Sequence, residues 1–232
     1  MSSPTLLTLT LVACAGLTLV PLASGQRSRY RDGIPREWSV FEYPDPHSLN
    51  QDQQRLCGRY NVSSVCDPNG LISETDANAL DSLINSVYRE TTCLCADCIL
   101  KGHGYIIRVA IMPKMQRVFP RGENTTIGRL RDAQMYSYIL TNRWRMEGAC
   151  NETLLILYSE GDGILYTLTR QNTKLKLSND DVKRISMTVR HYFDDQSTIA
   201  DGLMEMIRRY RLVFEDNYLE AFQPSAGGGR QG

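Results

Sequence analysis

An uncharged apolar run from Leu6 to Leu22 opens the chain, and Ala23 and Gly25 follow at the positions a signal peptidase reads. The run is a little short for a membrane span, which needs about 20 apolar residues. Charge begins directly afterwards, at Arg27 and Arg29. Residues 1–25 are therefore expected to be a signal peptide cleaved before Gln26. Behind it, residues 26–56 hold no sustained period and are broken by Gly33, Pro35, Pro44 and Pro46. They read as a flexible, extended leader, with the ordered domain, 57–220, beginning at Cys57.

Helical period sets in after Ser73. Ser73 and Asp76 make a variant of the capping box, and Ile72 stands where a hydrophobic staple begins. Ala77, Leu80, Leu83, Ile84 and Val87 then share one face, so a helix is expected over about 74–91. The nearly unbroken apolar run Tyr105–Met112, stopped by Pro113, suits a strand covered on both faces. Leu130, Ala133, Leu140 and Trp144 suggest a helix over about 127–146. Thr153–Tyr158 repeats the buried-strand pattern, and Ser159-Glu-Gly-Asp-Gly163 is turn chemistry. Ile164–Thr169 alternates, as an antiparallel partner with one wetter face does.

Two helices close the domain. Ser178 and Asp181 cap the first, which carries Val182, Ile185, Val189 and Tyr192 on one face. The second starts near Thr198 and presents Ile199, Leu203, Met206, Ile207, Tyr210 and Phe214. Residues 221–232, ending Gly-Gly-Gly-Arg-Gln-Gly, read as a disordered tail. The order α-β-α-β-β-α-α predicts an α/β domain with a small mixed sheet sandwiched by helices. If the strands flanking the second helix lie parallel in one sheet, their crossover should be right-handed.

The 232 residues less the signal suit one domain plus tails. Lys plus Arg and Asp plus Glu both number 26. No basic stripe marks a nucleic-acid binder, and no apolar run after the signal reaches membrane length. The tail is not hydrophobic, so no lipid-anchor signal is read there.

Of the seven cysteines, Cys14 belongs to the signal; Cys57, Cys66, Cys93, Cys95, Cys98 and Cys150 remain. An even count in an exported chain implies disulfides. Zinc is the rival reading for Cys93-Leu-Cys95-Ala-Asp-Cys98, but zinc ribbons bring a second CxxC or a histidine pair, and here only Cys150 and His103 are offered. The first helix would be roughly 27 Å long at about 1.5 Å per residue. Bridged Cα atoms lie within about 7 Å. Cys66, before the helix, should therefore pair with Cys57, while Cys150 takes one member of the later cluster and the other two join. Cys93 with Cys95 is the least expected couple. Asn61, Asn124 and Asn151 each open an N-glycosylation sequon. Secretion or the outer cell surface is the expected location.

Cys66-Asp-Pro-Asn-Gly-Leu-Ile-Ser73 ahead of an amphipathic helix resembles the opening of TPM domains. The hairpin Leu154-Leu-Ile-Leu-Tyr-Ser-Glu-Gly-Asp-Gly-Ile-Leu-Tyr166 and the paired closing helices continue the likeness. With the cysteines and the signal, Cys57–Phe214 resembles the extracellular TPM domain of the modulator of levamisole receptor family. That resemblance implies a cell-surface auxiliary protein, not an enzyme, partnered with the ectodomain of a ligand-gated ion channel. The expected channel is an acetylcholine receptor of the levamisole type, at the synapse. Relatives typically continue into one transmembrane helix, which this sequence does not show.

Some TPM relatives have been credited with phosphatase activity or calcium binding. Ligands of open α/β sheets gather beyond the carboxyl ends of parallel strands. Asp67, Glu160 and Asp162 are the carboxylates expected near that edge, and together they are the candidate Ca²⁺ ligands. The plainer expectation is that they form turns. No other cofactor is implied. A phosphate cradle would need glycine, and Arg170–Leu177 has none. His47, His103 and His191 stand isolated. Lys183, Arg184, Arg190, Arg208 and Arg209, on the closing helices that carry no sequon, are the candidate contacts to an acidic receptor exterior.

Overall fold

A computed structural model describes residues 33–119, 125–146 and 148–224. The expected signal peptide, Asn124 and the end of the tail lie outside the described residues. Among the described residues the α and β elements follow one another as β1 (Glu37–Trp38), α1 (Gln51–Leu56), β2 (Val65–Cys66), α2 (Glu74–Glu90), α3 (Ala96–Lys101), β3 (Ile106–Met112) and β4 (Lys114–Met115), then α4 (Thr126–Arg143), β5 (Thr153–Ser159), β6 (Ile164–Thr169), α5 (Gln171–Lys176), α6 (Asn179–Val189), α7 (Ile199–Phe214) and α8 (Tyr218–Ala221).

The main sheet has the order β2-β3-β5-β6. β2, β3 and β5 run parallel, and β6 turns back antiparallel on β5. Side chains alternate across it. Ile107, Val109 and Ile111 of β3, with Leu154 and Ile156 of β5, pack on α2, α6 and α7. Ala110, Met112, Leu155 and Leu157 face α4, through Ala133, Tyr136, Leu140 and Trp144. Both faces are buried, which is why β3 and β5 are nearly continuous apolar runs, interrupted by Arg108 and ended by Thr153 and Ser159.

α2 and α6 begin where their caps stand. The Ser73 hydroxyl accepts the Asp76 N–H, and α6 carries a full capping box between Ser178 and Asp181. Such caps are worth about 1 kcal/mol each. α2 buries Ala77, Leu80, Ile84 and Val87. α7 buries Leu203, Met206, Ile207, Tyr210, Val213 and Phe214, and the Phe214 ring stacks on Tyr105 with centroids 3.8 Å apart.

α2 and α4 connect successive parallel neighbours in one direction across the sheet, yet they lie on opposite faces. The two crossovers are therefore of opposite hand, and only one follows the right-handed rule. β2 is two residues long, so little strand twist constrains the connection that leaves it.

The stretch expected as a flexible leader is a correction. From Ile34 onward it is packed structure: Trp38, Val40 and Tyr43 are buried, β1 pairs in parallel with β4, and α1 precedes Cys57. The prolines shape a fitted strap because aromatic side chains between them fill the space beside α4 and the strand ends. At the other end, residue 221 is not tail: Ala221 is fully buried in α8, against α7. Among the described residues no helix is long and apolar enough to cross a membrane.

Candidate functional site

The carboxyl ends of β2, β3 and β5 are where a ligand of such a sheet would sit, and here the strap closes them. The Tyr43 hydroxyl lies 2.8 Å from the carbonyl oxygens of both Cys66 and Ile111, and it accepts the Ile111 N–H at 3.0 Å. It thus continues the β2–β3 ladder past the end of β2. Burial, with the charges of Tyr136 and Asp67, holds its pKa well above the usual phenol value, so the hydroxyl stays neutral and able to donate. Around it Trp38 Nε1 donates to Asn69 Oδ1 at 2.8 Å, and Trp144 Nε1 donates to Pro44 O at 3.1 Å. Arg143 donates to the carbonyls of Val40 and Tyr43.

The three candidate Ca²⁺ ligands are spent on this same edge. Asp67 accepts the N–H groups of Gly70 at 3.0 Å and Ile72 at 2.8 Å, which shapes the entry to α2. Asp162 Oδ2 accepts the Met115 N–H at 2.9 Å and the Ser159 hydroxyl at 2.6 Å, fastening the β5–β6 turn to β4. Glu160 begins that turn, its N–H bonded to Met112 O. Gly161 is required there: a Cβ would stand 2.9 Å from Pro113 O. Among the described residues, the potential ligand atoms that gather within 4.8 Å are those of Cys93, Cys95 and Cys98, and of Cys98, His103 and Glu152, not those of Asp67, Glu160 and Asp162. Asp67 and Asp162 thus act as turn formers. The gathered cysteines are all disulfide sulfurs, with no thiolate left for a metal.

Three disulfides brace the two ends of the sheet: Cys57–Cys66, Cys93–Cys98 and Cys95–Cys150. The first ties α1, and with it the strap, to the end of β2. Cys95–Cys150 joins the segments that lead into β3 and β5, and Cys93–Cys98 closes a loop within the first of them. Glu152, a buried carboxylate that the sequence reading overlooked, holds this second end by accepting the N–H groups of Ala149 at 3.0 Å and Cys150 at 2.7 Å. Its place inside a sequon drew attention to Asn151 instead. Asn61 and Asn151 are exposed.

The histidines are dispersed. His103 stacks on Tyr88, His191 Nδ1 lies 3.1 Å from Thr188 O, and burial, followed by the charge of Arg108, lowers the pKa of His47. Arg170–Leu177, expected to lack a phosphate cradle, contains α5.

The five basic residues of the closing helices separate. Arg209 is a correction: it is 5 % exposed, paired to Glu205 and donating to Ala221 O and Gln223 O, so it docks α8 and cannot face a partner. Arg184 lies over the Phe222 ring at 3.8 Å. Arg208 is exposed, 3.9 Å from Glu205. Lys183 and Arg190 line a groove of about 830 Å³ that runs along β6 between α4 and α6. Leu130, read on one helix face with Ala133, Leu140 and Trp144, is 41 % exposed and lines the same groove.

Fold and site together define a disulfide-braced α/β/α domain whose strand-end crevice is filled by its own chain and whose open feature is a groove at the sheet edge. Residues 38–163 match the family model described as Modulator of levamisole receptor-1, and the chain belongs to that family. No curated protein matches. Two solved structures are similar at 13 % identity over 63 % of this chain: the N-terminal domain of a protein from P. gingivalis, 78 % covered with a TM-score of 0.45, and the BA42 protein from Bizionia argentinensis, 83 % covered with a TM-score of 0.43.

Proposed function

We propose that this protein is an extracellular auxiliary protein that binds the ectodomain of an acetylcholine-gated channel of the levamisole type and modulates its gating. Membership of the family over residues 38–163 carries the reading. Three disulfides support an oxidising, exported setting. The plugged strand ends favour an interaction module over an enzyme, because the place where a phosphatase or calcium site would form is occupied by Tyr43, Trp38 and Asn69. A domain braced at both ends presents a rigid surface, and rigidity lowers the entropy cost of docking. Glycans at Asn61, Asn124 and Asn151 would shield other faces.

Co-expression with a levamisole-type acetylcholine receptor, with agonist currents recorded, tests the reading. A change in current amplitude or decay is expected, together with recovery of the receptor on the purified chain. Currents equal to those of receptor alone, with no receptor recovered at micromolar protein, would overturn it.

A further inference from the structure

Among the described residues β6 ends the sheet and pairs on one side only, with β5. In an antiparallel pair, residues that exchange hydrogen bonds alternate with residues that do not. Arg170 N–H donates to Thr153 O at 2.9 Å, just past the strand. That bond sets the phase: Leu168, Tyr166 and Ile164 turn their N–H and C=O groups towards Leu155, Leu157 and Ser159. The backbone groups of Leu165, Thr167 and Thr169 therefore point the other way. Among the described residues no hydrogen bond from outside the β5–β6 ladder reaches them.

This edge lacks the devices that natural edges use to repel another strand. Its sequence, Ile-Leu-Tyr-Thr-Leu-Thr, has no charge and no proline. It forms the floor of the groove of about 830 Å³, with Leu130 of α4 on one wall and Met187 of α6 on the other. Met187 is 67 % exposed, an apolar side chain standing in solvent beside an open ladder. Six extended residues would span about 20 Å of that floor.

The geometry points to an extended segment of a partner polypeptide, added as a fifth strand beside β6, with apolar side chains at alternate positions and a carboxylate set against Lys183 and Arg190. The recess selects this occupant. A second copy carries its own β6 between its own two helices, and two recessed edges cannot meet, whereas a bare strand can enter. Charge selects its chemistry. Lys183 on α6 and Arg190 at its C-cap are two turns apart, both line the groove, and neither has a salt bridge among the described residues. Glu160 and Asp194 also line it, so the partner's acid belongs beside α6 in one register. Alternating pockets with a main-chain ladder are the means by which sheet edges capture peptides. The inference is independent of the channel assignment, since any protein with such a segment would serve.

Selection from a yeast-displayed library of random dodecapeptides on the purified, disulfide-bonded chain tests it. Enriched peptides should alternate apolar residues and carry Asp or Glu. N-methylation of every second amide of a selected peptide should abolish its binding, while methylation of the intervening amides should not. The double change Lys183→Glu with Arg190→Glu should weaken binding by about tenfold, the loss expected of a charge-assisted hydrogen bond. Thr169→Pro, which removes an outward N–H and leaves the ladder to β5 intact, should weaken it while the circular dichroism melt is retained. Absence of enrichment, binding indifferent to the phase of methylation, or binding unchanged by both variants would overturn the proposal. So would a dimer that Thr169→Pro dissociates, which would make a second copy the occupant.

Discussion

The Tyr43 hydroxyl meets both backbone groups of Ile111, its N–H at 3.0 Å and its C=O at 2.8 Å. A side chain from the amino-terminal strap thereby takes the place of a strand residue beside β3. The strap is part of the sheet's hydrogen bonding as well as of its core, since the Tyr43 ring packs against Trp38 and Trp144 at centroid distances of 5.5 and 6.0 Å.

Removing that hydroxyl alone separates the two contributions. Tyr43→Phe keeps the ring but leaves the buried Ile111 N–H without a partner, at a cost of about 1–3 kcal/mol. Tyr43→Ala also opens a cavity and should cost about 3–5 kcal/mol. Urea unfolding midpoints at constant slope would measure both. Equal stability of wild type and Tyr43→Phe would remove the ladder role.

The three disulfides should rank by the chain they close. Sequence separations are 55 for Cys95–Cys150, 9 for Cys57–Cys66 and 5 for Cys93–Cys98. Loop-entropy arithmetic gives about 4 kcal/mol for the longest and about 2–3 kcal/mol for the others. Paired Cys→Ala variants followed by thermal denaturation should show Cys95–Cys150 as the most costly loss.

His47 predicts a pH effect. Burial, then the Arg108 charge, lowers its pKa from the ordinary value, with Asp45 opposing. The unfolded chain therefore binds the proton more readily than the folded one. Stability from this group is complete above about pH 6.5, the unfolded value, and is lost as pH falls through the lower folded value. His47→Gln should flatten the melting temperature against pH in that window and change little at pH 8. An unaltered slope would assign the acid sensitivity elsewhere.

Calcium should leave the fold unchanged. Asp67 and Asp162 already accept backbone N–H groups, and with Glu160 they do not converge. Millimolar Ca²⁺ is expected to leave the melting temperature where it was, whereas a true site would raise it by mass action. Asp162→Ala, by contrast, should cost about 1.5–3 kcal/mol through the lost charged hydrogen bonds to Met115 and Ser159. A calcium-dependent rise that Asp162→Ala removes would restore the metal reading.

What the sequence by itself determined was local or periodic. Ser73 and Ser178 place the starts of α2 and α6 because a cap acts within three residues. The apolar runs before Pro113 and at Thr153–Tyr158 mark β3 and β5 because a strand buried on both faces is apolar at most of its positions. The length of α2 alone keeps Cys66 from the later cysteines. Tertiary structure decided what depends on partners distant in the chain. Trp38 and Tyr43 lie among prolines with no period, and only the unpaired ends of β2 and β3, with the α4 surface, explain their burial. Arg209 reads as a surface charge until the α8 carbonyls turn towards it. Asp67, Glu160 and Asp162 share the expected edge, but each is taken up by its own turn or by β4. Leu130 shares a face with Ala133 and Leu140 by its spacing, yet it stands on the groove wall because β6 is the edge strand and, among the described residues, no further strand lies beyond it. Spacing along a helix tells which residues share a face; it does not tell whether another layer of protein covers that face.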